Sequence, residues 1–177
     1  MTDKKGKLKK GYIQVYCGDG KGKSTAALGL ALRAVGRGMR VIVIQFLKGE
    51  PSGEHLFVEK YNCFEIIQPN KGNCFRQSDA ELRPVTEKTL AIARDSLTSG
   101  KYDIVILDEI FAALGRNLLT ISQVIELMDN KPDDVELVMT GREAPQEVIQ
   151  RADLVTEMSA VKHYYGNGVR LRKGIEY

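Results

Sequence analysis

The sequence predicts an α/β fold with a mostly parallel sheet and helices on both of its faces. Short runs of β-branched residues alternate with longer helical patterns along the chain, which is typical of a parallel sheet. Several of the strand segments are continuously apolar, as expected of strands that are covered on both faces. A segment rich in glycine and lysine separates the first strand from the first helix, where many phosphate-binding loops lie.

Six strands and four helices follow from this pattern. The strands are predicted at residues 12–16, 40–46, 64–67, 103–107, 135–139 and 154–156, and the helices at 23–35, about 78–98, 121–130 and 145–152. The first helix is apolar almost all round, which predicts that it packs deeply. Residues 48–76 contain two prolines and several glycines and show the least regular pattern, so we expect a functional loop there.

The length of 177 residues predicts one domain, residues 12–177, preceded by a flexible basic arm at residues 1–11. Five lysines against one aspartate give the arm a charge of +4, and the remaining 21 basic and 22 acidic residues give −1. A nearly neutral body argues against a nucleic-acid-binding face. No apolar run approaches the length of about 18 residues that indicates a membrane span. Three cysteines without a C-x-x-C pair are typical of a cytoplasmic protein.

The segment from Gly18 to Thr25 has most features of a phosphate-binding loop. Its glycines allow backbone N–H groups to point at phosphate oxygens, and the helix N-terminus adds partial positive charge. Lys23 is expected to reach the phosphates and the Ser24 hydroxyl to ligate Mg²⁺. Cys17 stands where the common pattern has its first glycine. The predicted ATP-binding residues are those of the loop and two arginines: Gly18, Asp19, Gly20, Lys21, Gly22, Lys23, Ser24, Thr25, Arg33 and Arg142.

An apolar strand that ends in Asp108 and Glu109 supplies the second part of the predicted site. Carboxylates at this position hold Mg²⁺ opposite the hydroxyl of a phosphate loop. The predicted metal ligands are Ser24, Asp108 and Glu109, with Mn²⁺ as an alternative ion. Together the two features predict a Mg²⁺–nucleoside triphosphate site at the carboxyl edge of a P-loop NTPase-like (RecA-like) fold.

Other polar residues give weaker signals. Gln45 and the segment that begins at Thr140 end two strands at the same predicted edge. Arg142 either contacts the nucleotide or pairs with a nearby surface glutamate. Arg33 either reaches back from the first helix to the nucleotide or is solvated. His163 is either a functional residue or a structural histidine in a loop.

The chain resembles the ATP:corrinoid adenosyltransferases of the P-loop type, which attach adenosine to vitamin B12-like corrinoids. The resemblance runs from Gly11 to Tyr177 and includes a phosphate loop that lacks its first glycine. Beyond that loop it rests on residues 33–36 (RAVG), 45–49 (QFLKG), 107–110 (LDEI), 140–142 (TGR), 152–158 (ADLVTEM), 161–163 (VKH) and 173–177 (KGIEY).

The resemblance implies that Co(I) of a reduced corrinoid attacks C5′ of ATP and that triphosphate leaves. Co(I) carries no proton to remove, so the reaction needs no general base. The protein must orient C5′ and stabilise the charge that builds on the leaving group. Lys23 and Lys21 are the expected catalytic residues. The resemblance also implies a homodimer, and an electron-donor flavoprotein is a candidate partner.

The segment after the third strand departs from the family pattern. Family members usually carry Phe-x-Trp there, at the lower face of the corrin ring, whereas this chain has Cys74-Phe75-Arg76 and no tryptophan. We expect Phe75 to take that place alone, with His163 as a second corrinoid-binding residue. The alternative for Phe75 is a core residue that anchors the loop.

Two other classes of function remain open. A P-loop ATPase or kinase would act on the γ-phosphate and release ADP. A nucleotide-sensing module would bind ATP without turnover. The product that forms distinguishes the three hypotheses.

Overall fold

The computed structural model describes residues 8–177, so residues 1–7 of the predicted basic arm lie outside the described residues. Gly11, at the end of that arm, is buried. Its backbone N–H donates to the carbonyl of Asp133 at 2.7 Å, and a Cβ at Gly11 would lie 2.1 Å from the carbonyl oxygen of Val135. The packed domain therefore includes Gly11.

Strands and helices alternate along the described part of the chain. Their order is β1 (Ile13–Cys17), α1 (Lys23–Val35), β2 (Val41–Gln45), α2 (Gly53–Tyr61), β3 (Glu65–Ile67), α3 (Asp79–Thr98), β4 (Ile104–Asp108), α4 (Ile110–Gly115), α5 (Ile121–Asp129), β5 (Glu136–Thr140), α6 (Gln146–Arg151) and β6 (Leu154–Glu157). Short 3₁₀ turns lie at Cys74–Arg76 and Tyr164–Asn167.

The strands form a single sheet in the order β3-β2-β4-β5-β1-β6, and every pair of neighbours is parallel. The predicted α/β fold is confirmed, and the sheet is fully parallel. Because the strands are parallel, their carboxyl ends meet at one edge, where ligands of such sheets bind. Strand β5 separates β1, which leads into the phosphate loop, from β4, which ends in Asp108.

Both faces of the sheet are covered by helices, as predicted. Val43 and Ile106 belong to a cluster with the alanines of α1, whose small side chains let this helix approach the sheet closely. Ile44 and Leu107, which point the other way because side chains alternate along a strand, pack with residues of α3, α5 and α6. Within residues 8–177, no helix combines the length and the hydropathy that crossing a membrane requires.

All six strands and the four predicted helices end within one residue of their predicted bounds. The prediction of irregular structure over residues 48–76 was wrong in part, because α2 occupies nine of these residues. Ser52 and His55 form a reciprocal capping box at its start, with histidine in the place that glutamate or glutamine usually takes. The helix has no buried residue, and its apolar residues Leu56, Phe57 and Val58 are consecutive in the sequence, so they do not form the periodic stripe by which helices are predicted.

Candidate nucleotide site

The phosphate loop is fixed to two neighbouring segments of the sheet edge. Gly18 and Gly22 have φ angles of 99° and 121°, which favour glycine. The N–H of Gly18 donates to the carbonyl of Arg142 at 2.7 Å, and that of Gly20 donates to the carbonyl of Met158 at 2.6 Å. A Cβ at Gly18 would lie 2.5 Å from the Met158 carbonyl oxygen, so no larger residue fits there without a shift of the backbone.

Cys17 explains how the loop can lack its first glycine. The residue is the last of β1 and is buried among the core side chains rather than in the loop. Burial raises the pKa of its thiol. The strand thus accommodates a small side chain at this position, and the turn itself begins at Gly18.

Lys23 lies at the start of α1 with its ammonium inside the loop. Its Nζ donates to the carbonyl of Gly18 at 2.6 Å and to that of Gly20 at 2.8 Å, and the residue is only 8% exposed. Two of its three N–H groups are therefore used within the loop. This cation is held in place before any anion binds.

Lys21 points in a different direction. Its Nζ donates to the carbonyl of Ile175 at 2.9 Å and forms a 3.0 Å ion pair with Glu176. The Glu176 carboxylate also accepts hydrogen bonds from Arg172 and from the hydroxyl of Tyr164, and these bonds hold the pKa of Glu176 far below its ordinary value. These contacts direct the ammonium of Lys21 toward the C-terminal segment.

Asp108 is the centre of the site and is 2% exposed. Its Oδ1 accepts hydrogen bonds from the hydroxyls of Ser24 at 2.7 Å and Thr140 at 2.8 Å. Its Oδ2 accepts hydrogen bonds from Lys48 at 2.6 Å and from the side-chain amide of Gln45 at 3.2 Å. The carboxylate thereby joins the ends of β2, β4 and β5 to the start of α1.

The neighbouring carboxyls Asp108 and Glu109 have opposite electrostatic environments. Burial alone would raise the pKa of Asp108, but Lys48 and the hydroxyls of Ser24 and Thr140 outweigh it, so the pKa lies below its ordinary value. Burial raises the pKa of Glu109, and the charge of Asp108 raises it further. Glu109 has a φ of 61° and its N–H donates to the Thr140 hydroxyl at 2.9 Å.

The donor set at this edge fits Mg²⁺ when the ion arrives with a nucleotide. Ser24, Asp108 and Glu109 offer only oxygen atoms, which Mg²⁺ prefers. Protein sites for Mg²⁺ commonly use one or two carboxylates and leave the other positions to water and substrate phosphates. No group of three or more histidines, cysteines and acidic residues that could hold a metal ion occurs within residues 8–177.

The two arginines differ in how the structure places them. Arg142 is exposed, and its backbone carbonyl holds the phosphate loop through Gly18. Its exposure agrees with the surface alternative, although among the described residues no ion pair joins it to Glu143 or Glu147. Arg33 is exposed on α1, about 15 Å along the helix axis from Lys23. The fold does not bring Arg33 to the phosphate loop.

Phe75 lies in the 3₁₀ turn at Cys74–Arg76 and is 92% exposed. The alternative of a core residue that anchors the loop was therefore wrong. The side chain of Asn73 holds the turn by accepting a hydrogen bond from the Phe75 N–H at 2.9 Å. His163 caps the second 3₁₀ turn, where its Nδ1 accepts from the N–H of Tyr165 at 3.1 Å, as the structural alternative predicts.

Sequence reasoning gave no role to Lys48 or Glu176, although both lie at the site. Both belong to segments on which the family resemblance rests, 45–49 and 173–177. The resemblance was therefore the signal that could have identified them as site residues. The contact of Lys48 with Asp108 spans 60 positions of the chain, and that of Lys21 with Glu176 spans 155. No local pattern encodes such pairs.

Comparison with known proteins points to one family. The family model described as ATP:corrinoid adenosyltransferase BtuR/CobO/CobP matches residues 9–177. A corrinoid adenosyltransferase of Pseudomonas aeruginosa is 36% identical over 172 residues, which are 95% of this chain and 84% of that protein. Those of Escherichia coli K12 and a Sinorhizobium species are each 35% identical over 173 residues, again 95% of this chain, and 86% and 81% of theirs.

Proposed function

Because the chain belongs to the ATP:corrinoid adenosyltransferase family, we propose that it transfers the 5′-deoxyadenosyl group of ATP to Co(I) of a reduced corrinoid. The acceptor is cobalamin or one of its precursors. One observation carries the nucleotide part of the proposal: the phosphate loop lies directly against a buried carboxylate through the 2.7 Å contact between Ser24 and Asp108. A chain with this contact can bind a nucleoside triphosphate at the carboxyl edge of the sheet.

The proposed reaction is a displacement at C5′. Co(I) provides the electron pair of the new Co–C5′ bond and becomes Co(III), while the C5′–O5′ bond breaks and its electron pair leaves with triphosphate. The protein has two tasks: it must hold C5′ in line with cobalt, and it must stabilise the charge of the leaving group. The nucleophile Co(I) carries no proton, so the proposed site needs no general base.

The residues of the phosphate loop are suited to the second task. The ammonium of Lys23 is fixed before the substrate binds, so it need not reorganise as charge develops. The N–H groups of Gly18 and Gly20 already donate to Arg142 and Met158, so the backbone donors for phosphate come from the rest of the loop. Lys21 adds a second cation once its ammonium exchanges Glu176 for a phosphate oxygen. We assign the Mg²⁺ ion, or Mn²⁺ in its place, to Ser24, Asp108 and Glu109. When bound, the ion neutralises charge on the triphosphate.

Phe75 is the proposed contact with the lower face of the corrin ring. The ring is wide and largely apolar, and an aromatic side chain covers it by dispersion contacts while it offers cobalt no ligand atom. The 92% exposure of Phe75 leaves its ring available for such a contact. We propose His163 as a second residue on the corrinoid side, with its exposed neighbour Tyr165 beside it.

We expect the Phe75→Ala variant to fold and to bind ATP normally, because the wild-type ring is exposed to solvent. The variant should fail to form four-coordinate Co(II) cobalamin, which is measured by its electronic spectrum. It should retain more activity when Co(I) is supplied ready-made, because removal of the lower ligand matters chiefly for the reduction step. Leu32→Ala, which shortens an exposed apolar side chain on α1, is the matched control. An unchanged four-coordinate Co(II) spectrum would remove Phe75 from the corrinoid site.

Glu109 distinguishes an adenosyltransferase from an ATPase. In an ATPase this carboxylate would position water, whereas here it serves the metal ion. We therefore expect raised Mg²⁺ or Mn²⁺ to restore part of the activity that Glu109→Gln loses. The measurement is initial rate against metal concentration for both proteins. A loss that no metal concentration changes, together with ADP formation by the wild type, would favour the hydrolase.

The test of the proposed function is an anaerobic incubation of the protein with ATP, Mg²⁺ and chemically reduced cobalamin. The proposal predicts the absorbance spectrum of an alkylcobalamin and the release of triphosphate. Formation of ADP would indicate an ATPase or kinase, and binding of ATP without any product would indicate a sensing module. A homodimer, a flavoprotein electron donor and a cytoplasmic location remain predictions.

A further inference from the structure

We propose that Lys48 is a positioning residue for adenosyl transfer. Its ammonium donates to Oδ2 of Asp108 and closes this oxygen to the divalent ion. The ion is then bound by Ser24, Glu109 and the nucleotide and can contact Asp108 only through Oδ1, the oxygen that faces Ser24. This inference rests on the proposed function, because it concerns the same nucleotide site.

The hydrogen bonds of Asp108 are the first support for this role. A carboxylate has about four positions at which it accepts hydrogen bonds, two on each oxygen. Ser24 and Thr140 donate to Oδ1, and Lys48 and Gln45 donate to Oδ2. A metal ion can therefore reach Asp108 directly only if it displaces one of these donors. Lys48 is the charged donor among these four, and its Nζ lies 2.6 Å from Oδ2 of Asp108.

A tight backbone turn fixes the position from which the Lys48 side chain extends. Leu47 has a φ of 58°, a strained conformation for a residue other than glycine, and its side chain is buried. The N–H of Lys48 donates to the carbonyl of Phe46 at 2.7 Å, which closes a tight turn directly after β2. Strain of this kind persists only where the surrounding structure enforces it.

Contacts with a second loop enforce the turn. The N–H of Gly72 donates to the carbonyl of Gly49 at 3.1 Å, and a Cβ at Gly49 would lie 1.8 Å from the Gly72 carbonyl oxygen. The side-chain amide of Asn70, which is 4% exposed, lies 3.5 Å from the Leu47 carbonyl and 3.0 Å from the side-chain oxygen of Gln77. Lys48 is thus fixed from both sides of its turn, unlike an ordinary surface lysine.

The charges near Lys48 agree with a role as counterion. Its Nζ lies 3.8 Å from Glu54 as well as 2.6 Å from Asp108, and its side chain is 30% exposed. Glu54 also accepts a hydrogen bond from the Gln45 amide at 3.2 Å. One ammonium therefore serves two carboxylates at the edge where the divalent ion is expected. Without this ammonium, Asp108 and Glu54 would carry uncompensated negative charge. That charge would attract a divalent ion to their own oxygen atoms and away from Ser24 and the nucleotide.

The test uses Mn²⁺ alone as a probe, because its paramagnetism reports binding without nucleotide or corrinoid. We expect Lys48→Met to bind Mn²⁺ at least about tenfold more tightly than the wild type and to lose about tenfold in kcat, with a smaller change in KM for ATP. Lys48→Arg, which keeps the charge, should restore both values toward those of the wild type. Lys48→Gln keeps a hydrogen-bond donor without the charge and should behave like Lys48→Met.

Arg40→Met is the matched control. Arg40 pairs at 2.9 Å with Asp103, a buried carboxylate next to the opposite end of β4, so this variant also removes a counterion from a buried aspartate. It should leave Mn²⁺ binding and kcat unchanged. Wild-type Mn²⁺ affinity in folded Lys48→Met and Lys48→Gln would overturn the proposal. If the wild type forms no Co–C bond, the proposed function fails, whereas the Mn²⁺ measurement still decides the relation of Lys48 to Asp108.

Discussion

Replacement of Lys23 by alanine is expected to lower adenosyl transfer at saturating ATP by at least about two orders of magnitude. The Nζ of Lys23 is held at 2.6 Å and 2.8 Å from two loop carbonyls, so the cation is fixed in the loop to which the proposed function assigns the leaving triphosphate. Loss of a single preorganised donor of this kind typically costs about 3–4 kcal/mol of transition-state stabilisation. The measurement is kcat with chemically reduced cobalamin.

Two controls separate catalysis from folding and from charge. Lys88→Ala removes an exposed lysine from α3 and should leave kcat unchanged. Circular dichroism of Lys23→Ala should match the wild type, because the loop glycines keep their backbone hydrogen bonds to Arg142 and Met158. Turnover near that of the wild type at saturating ATP would remove Lys23 from the mechanism.

The second large effect is expected for Asp108→Asn, on stability as well as activity. An amide cannot accept at both positions, so its NH₂ group must face either the hydroxyls of Ser24 and Thr140 or the donors Lys48 and Gln45. Removal of one partner from a buried ion pair typically costs about 3–5 kcal/mol. For a chain of this size that loss lowers the melting temperature by roughly 6–20 °C.

Asp103→Asn provides the comparison for Asp108→Asn. Asp103 is 3% exposed and pairs with Arg40, so its replacement should also destabilise the fold. Only Asp108→Asn should reduce adenosyl transfer at a temperature where both variants are folded. Thermal unfolding by circular dichroism and initial rates at that temperature measure the two effects. A melting temperature of Asp108→Asn close to that of the wild type would contradict the central place of Asp108 in the site.

The parts of the fold that local sequence patterns encode were predicted well. The strands are short runs rich in β-branched and other apolar residues, and α1 begins directly at the Gly-Lys-Ser segment, so composition and glycine spacing suffice to place them. Helix α2 escaped prediction because it is exposed and because His55, not an acidic residue, completes its capping box. The helix α4 begins one residue after β4 and has only six residues, which are too few to show a helical period.

The site was predicted where its residues belong to recognisable local motifs. Ser24 and Asp108 come from two such motifs, and parallel strands bring them to one edge. Lys48 and Glu176 reach the site through contacts between distant parts of the chain, which no single-sequence pattern specifies. The exposure of Phe75 depends on how its turn lies on the surface, which the sequence does not specify. The sequence therefore could not decide between a corrinoid contact and a core residue that anchors the loop.

The most direct test of the account follows the 5′-carbon of ATP through one turnover. The protein, in excess over cob(I)alamin, is mixed anaerobically with Mg²⁺ and ATP that carries ¹³C at C5′, and the products are resolved by NMR and anion-exchange chromatography. We expect the labelled carbon to become bonded to cobalt and one triphosphate to be released for each Co–C bond formed. Label that remains in ADP, with release of phosphate and no Co–C bond, would contradict this expectation.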